Sequence, residues 1–257
     1  MLPDYVTTPL LYLQDSLFHP PDDVQSNVTM ALRWFHIIAG IVWIGHLYFF
    51  NLVNVNLMKS LDGATKGKVI PQLMPRALWW FRWGAVVTVL VGLTYFAMYI
   101  LPPDARNAGA NSWLILLVWL LIVIAAFVLM FFILRTVDKG WIVGVLIGVV
   151  ASVMAVAVTA WLNSSLTTFA SSRTLSIGIG GGLGTIMLFN VWGIIWPNQK
   201  RIIAWTANNA EKGTAVPAAS ARLARVAFLA SRANTWLSVP MLFFMAASGT
   251  HYPLLGR

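Results

Sequence analysis

Apolar residues in this chain come in long runs, not in alternation. The first run covers residues 28–58, VTMALRWFHIIAGIVWIGHLYFFNLVNVNLM. Five more follow at 77–101, 113–134, 140–162, 174–197 and 226–249. Each has about 20 residues or more, enough to cross ~30 Å of hydrocarbon as a helix. Nothing alternates with period two over ~10-residue segments, which argues against a membrane barrel. The pattern predicts an all-α polytopic membrane bundle of about six transmembrane helices over residues 28–253. Residues 1–27 carry a partial stripe, Leu10, Leu11, Leu13, Leu17 and Phe18, that stops at Pro20 and Pro21. That stripe is too short to span and reads as a periplasmic or interfacial segment. Residues 254–257 are a short tail.

Composition agrees with the pattern. The 257 residues are 59% hydrophobic and 10% charged, with mean hydropathy +0.76. A soluble domain carries roughly 25% charged residues. Cysteine is absent, so disulfides, thiolate metal sites and covalent C-x-x-C-H haem are excluded. The N-terminus has no basic stretch followed by a short apolar core, so no cleavable signal is expected.

The net charge of +9 sorts onto alternate loops. Lys59, Lys66, Lys68 and Arg76 lie between the first two runs, Arg135 and Lys139 between the third and fourth. Lys200, Arg201, Lys212, Arg222 and Arg225 lie in 198–225, the longest expected loop. Positive loops stay in the cytoplasm, which places both termini on the periplasmic side. Anionic membrane lipid is then the natural counter-charge, and nucleic acid is not an expected partner.

Chemistry is sparse inside the runs. They hold no carboxylate, which argues against a carboxylate proton relay or a di-iron site. His36 and His46 both fall in the first run, and an ionisable group in lipid is a functional-site hypothesis by default. Gly40 and Trp43 share the face of His36 at i+4 and i+7. A histidine beside a glycine gap suits a flat macrocycle. His46 is about 80° round and roughly 15 Å along, so one iron cannot use both. His251, at the outer end of the sixth run, lies at a depth similar to His36. The pair could hold haem b between the first and sixth helices, with His46 in reserve. The alternative is that each histidine simply hydrogen-bonds a neighbouring helix.

Arg82, in LWWFRWG, either snorkels to the interface among tryptophans or pairs with a haem propionate. Gly178, Gly180, Gly181, Gly182 and Gly184 in the fifth run serve close helix packing or make room for a cofactor. Asn51, Asn54 and Asn190 read as helix-to-helix hydrogen bonders, and Pro240 predicts a kink in the sixth helix.

Four stretches share a resemblance: RWFHIIAGIVWIGH (33–46), LWWFRWG (78–84), WPNQK (196–200) and NTWLSVPMLFFM with HYP (234–253). Together they resemble the membrane domain of bacterial membrane-bound urate oxidases, which carry a C-terminal cytochrome c. The resemblance implies a multi-pass protein of the bacterial inner membrane, with His36 and His251 matching the family's histidines. His46 stands where relatives are expected to have a small residue. No cytochrome c segment follows, so electrons are expected to pass to a separate c-type cytochrome or a larger membrane complex. The expected function is a b-type cytochrome-like electron-transfer subunit. The alternatives are a membrane-bound oxidase of urate or a similar small substrate, and a haem-free accessory subunit of a respiratory or photosynthetic complex.

Overall fold

The computed structural model describes residues 21–167, 170–249 and 254–255. Among them are six long helices and no strand. They are α1 Val24–Ser60, α2 Gly63–Asn107, α3 Ser112–Thr136, α4 Gly140–Leu166, α5 Ser172–Lys212 and α6 Ala219–Ala247. The first five are long and apolar enough to cross a membrane. α6 has 29 residues but is more polar, because Asn234 and Ser238 are fully buried on its inward face. The sixth run therefore hides these two polar groups in the bundle, while Arg232 is partly exposed beside the Phe228 ring.

α5 is the axis of the bundle. In its most apolar stretch 67% of residues are buried, against 22–28% in α1 to α4. Its glycines explain how four helices can surround it. A Cβ on Gly178 would lie 2.6 Å from Leu162 of α4, and one on Gly182 3.2 Å from Met154 of α4 and Val123 of α3. One on Gly180 would lie 3.2 Å from the Met241 carbonyl oxygen of α6. Small residues let membrane helices approach to backbone contact. Trp119 then ties α3 to α5, its Nε1–H donating to the Gly178 carbonyl at 2.9 Å.

Capping accounts for most helix starts. Asp23 accepts from Ser26 N, Asp62 from Thr65 N and Asn111 from Trp113 N, each supplying an acceptor for an otherwise orphaned N–H. α5 is capped twice over. Ser171 accepts from Thr174 N at 3.2 Å, while Asp104, from the end of α2, accepts from Ser171 N at 2.9 Å and from the Thr174 hydroxyl at 2.6 Å. Asp104→Ala should therefore cost about 1–2 kcal/mol, read as a loss of thermal stability in detergent.

Two expected loops are largely helical. α2 begins at Gly63 and runs through Pro71 and Pro75, and α5 continues past WPNQK to Lys212. The connection after α5 shrinks to residues 213–218, where Gly213 takes φ +67° and ends the helix. Both extensions are polar enough to lie beyond hydrocarbon, which is why an apolar-run reading stopped short of them.

Three stretches are π-helical: Phe49–Asn54 in α1, Phe96–Ile100 in α2 and Val191–Ile195 in α5. Proline follows two of them, Pro102 after Ile100 and Pro197 after Ile195, each two positions on. Each π-helical stretch shifts the helix face by inserting a residue into the turn, a device frequent at functional sites.

Candidate functional site

α1 and α2 are the most closely paired neighbours in the bundle, and their seam shapes the site. Gly84, Thr88 and Gly92 recur every four residues on α2, so they share one face. Gly84 admits the α1 backbone: a Cβ there would lie 3.2 Å from Trp43 N and 3.4 Å from the Ala39 oxygen. Gly92 admits the His36 ring, whose Cε1 and Nδ1 would be 2.7 and 2.8 Å from such a Cβ. Thr88 supplies the anchor between them, its carbonyl lying 2.8 Å from His36 Nδ1. A carbonyl only accepts, so Nδ1 carries the proton and donates. Nε2 is then the bare nitrogen, and no described residue hydrogen-bonds it.

This is the arrangement that orients a ligand histidine. One ring nitrogen is pinned to a backbone carbonyl, which fixes the tautomer and leaves the other free to bind. His36 lies on the wall of a cavity of about 440 Å³ between α1, α2, α5 and α6. That volume is within the roughly 300–1,000 Å³ typical of small-molecule and cofactor sites. Phe96 and Trp119 give it aromatic walls, Gly181 and Gly184 a low wall on α5, and Met241 and Met245 close it from α6. Arg33 and Gly249 also border it.

One cavity group lacks a partner. Trp43 is 1% exposed, and its Nε1–H is buried with no acceptor among the described residues. A buried donor left unmade costs about 1–3 kcal/mol, so an acceptor on a bound molecule would relieve it. The cavity thus offers a bare imidazole nitrogen, one indole donor and apolar walls.

The other expected site residues lie elsewhere. Gly40 faces Thr88, whose Cγ2 would be 3.8 Å from an added Cβ, and belongs to the helix seam. The glycine that makes room for the imidazole is Gly92, on α2. Nothing in the sequence pairs it with His36, because the two meet only when the helices pack. His46 Nδ1 donates to its own helix at Val42 O, 2.7 Å away, and does not border this cavity. Arg82 does not border it either: its guanidinium stacks 3.8 Å from the ring centroid of Trp196. His251 lies outside the described residues. Among the described residues no three His, Asp or Glu side chains gather as a metal cluster.

No curated protein and no solved structure matches the chain. The family model described as urate oxidase N-terminal matches residues 63–256, which takes in α2 to α6 and leaves α1 with His36 ahead of the matched stretch. By that match, over three quarters of its length, this membrane-helical chain belongs to the urate oxidase N-terminal family.

Proposed function

We propose that the chain is the electron-transfer subunit of a urate-oxidase-type membrane system, with haem b held in the His36 cavity. The observation that carries this reading is the pinned imidazole on an apolar, aromatic-walled cavity: Nδ1 donates 2.8 Å to the Thr88 oxygen, and no described residue hydrogen-bonds Nε2. The donor set suits haem, which needs imidazole and a dry slot. His36 would ligate the haem iron, Gly92 gives the imidazole its seat, and Arg33 would be the cation available to a propionate. His251 is the proposed second ligand; it follows Gly249, a wall residue, by two positions. When bound, haem supplies one-electron transfer, and a separate c-type cytochrome is the proposed acceptor. The loop charges support a bacterial inner-membrane location with both termini periplasmic.

A reduced-minus-oxidised absorption spectrum of the purified protein tests this. The expected result is b-type Soret and α bands that are lost or shifted in His36→Ala. Wild-type protein without them would end the proposal. Trp43 favours a second reading, in which a flat substrate with a carbonyl acceptor is oxidised in the same cavity. Saturable binding of urate to haem-free wild-type protein, lost in Trp43→Phe, would support that reading.

A further inference from the structure

Below the cavity, toward the end of the bundle that carries the 61–62, 137–139 and 213–218 connections, the interior is polar. Asn190 and Asn234 are fully buried, and Asn190 Nδ2 donates to Asn234 Oδ1 at 2.8 Å. Asn234 Nδ2 in turn donates to the Met187 carbonyl at 2.9 Å. Asn51 Nδ2 donates to Ser231 Oγ at 2.8 Å, and Tyr48 and Ser238 share a 3.0 Å hydroxyl contact.

What these bonds leave over on α1 and α5 at this end is one-sided, whereas Arg82 Nε, on α2, is a buried donor that no described residue meets. Asn51 Oδ1, Asn54 Oδ1 and Asn190 Oδ1 are all buried without a partner among the described residues. All three are acceptors, so what is missing is a donor. Two of the π-helical stretches fall here as well: Asn51 and Asn54 lie within Phe49–Asn54, and Asn190 directly precedes Val191–Ile195. Buried polar groups left over in a protein interior are ordinarily met by water, each molecule making about three hydrogen bonds.

The polar groups also form a line. Ser231, Asn234, Ser238, Met241 and Met245 follow one another on α6 at spacings of three and four, which is one helix face. The first three are polar; the last two are walls of the His36 cavity. At the other end, Asn54 lies within two turns of the α1 terminus at Ser60.

We infer that a file of buried water runs along this face, from the basic end of the bundle to the His36 cavity, and that it conducts protons. Water donates to the three amide oxygens, and a lining with surplus acceptors favours the hydrated proton over hydroxide. The guanidinium of Arg82 is engaged elsewhere, stacked 3.8 Å from the ring centroid of Trp196. Protons hop along the file with no net chemical change, so oxidation or reduction in the cavity can exchange protons with that side of the membrane. The inference does not rest on haem.

The test is proton flux into liposomes that contain the purified full chain, a trapped pH-sensitive dye and an imposed potassium-diffusion potential. Wild-type protein should acidify them faster than protein-free liposomes. The paired variant Asn190→Leu with Asn234→Leu, which removes both partners of one bond, should return the rate to that of protein-free liposomes. Asn51→Leu is the second variant, in case the pair does not fold. Asn56→Leu, an exposed residue bonded only to its own helix, should match wild type. Wild-type flux equal to the protein-free rate would overturn the inference, as would wild-type flux in a folded Asn51→Leu or paired variant.

Discussion

Gly92→Ala should remove the imidazole from its seat while leaving the helices in place. The new Cβ would lie 2.7 Å from His36 Cε1 and 2.8 Å from Nδ1, closer than any relaxed contact. The ring can escape only by swinging away, and doing so breaks its bond to the Thr88 oxygen. Forcing a methyl into a filled site costs about 1–3 kcal/mol, and the lost hydrogen bond adds roughly 1 kcal/mol. The expected result is a clear drop in thermal stability together with loss of any haem absorbance. Gly181→Ala is the matched control on the same cavity, because its Cβ would meet nothing nearer than 3.8 Å. It should keep both properties. If Gly92→Ala retains wild-type stability and spectrum, the imidazole is not held as described.

A larger effect on folding is expected at Gly84. There the nearest neighbours of a Cβ are Trp43 N, the Ala39 oxygen and Trp43 Cα, at 3.2–3.4 Å. All three are backbone atoms, which cannot rotate out of the way. Gly84→Leu should therefore drive α1 from α2 and cost at least the ~1–3 kcal/mol of ordinary overpacking. Purified variant should show a lower unfolding midpoint and faster proteolysis near α1. Gly40→Ala, across the same seam with its nearest contact at 3.8 Å, should be neutral. A stable Gly84→Leu protein would mean that α1 is not fixed to α2 through this glycine.

Helix count and class were legible because lipid imposes them. Each run of apolar residues had to be a helix, since hydrocarbon offers no partner for a bare peptide group. Helix ends were less legible. α2 and α5 continue well beyond the apolar runs as polar helix, and hydropathy stops where the hydrocarbon does.

The site divides in the same way. His36 stood out in the sequence as an ionisable group in an apolar run, a local property that needs no neighbour to be noticed. Its anchor and its seat did not. Thr88 and Gly92 lie 52 and 56 positions away, unremarkable in their own run. Gly40, though correctly placed on the His36 face of α1, proved to serve the helix seam. Arg82 looked available for a carboxylate, but a cation beside two indoles gains from stacking, and Trp192 and Trp196 are brought to it by α5.

The sequence alone determined a membrane-helical chain, the location of its few buried polar groups and the resemblance that its family membership bears out. Those follow from composition and period, which are properties of one segment at a time. Only the tertiary structure decided which nitrogen of His36 is bare, which donor in the cavity has no partner and where three amide oxygens are left over. Each of those is a relation between helices far apart in the chain, set by which small residues let two backbones meet.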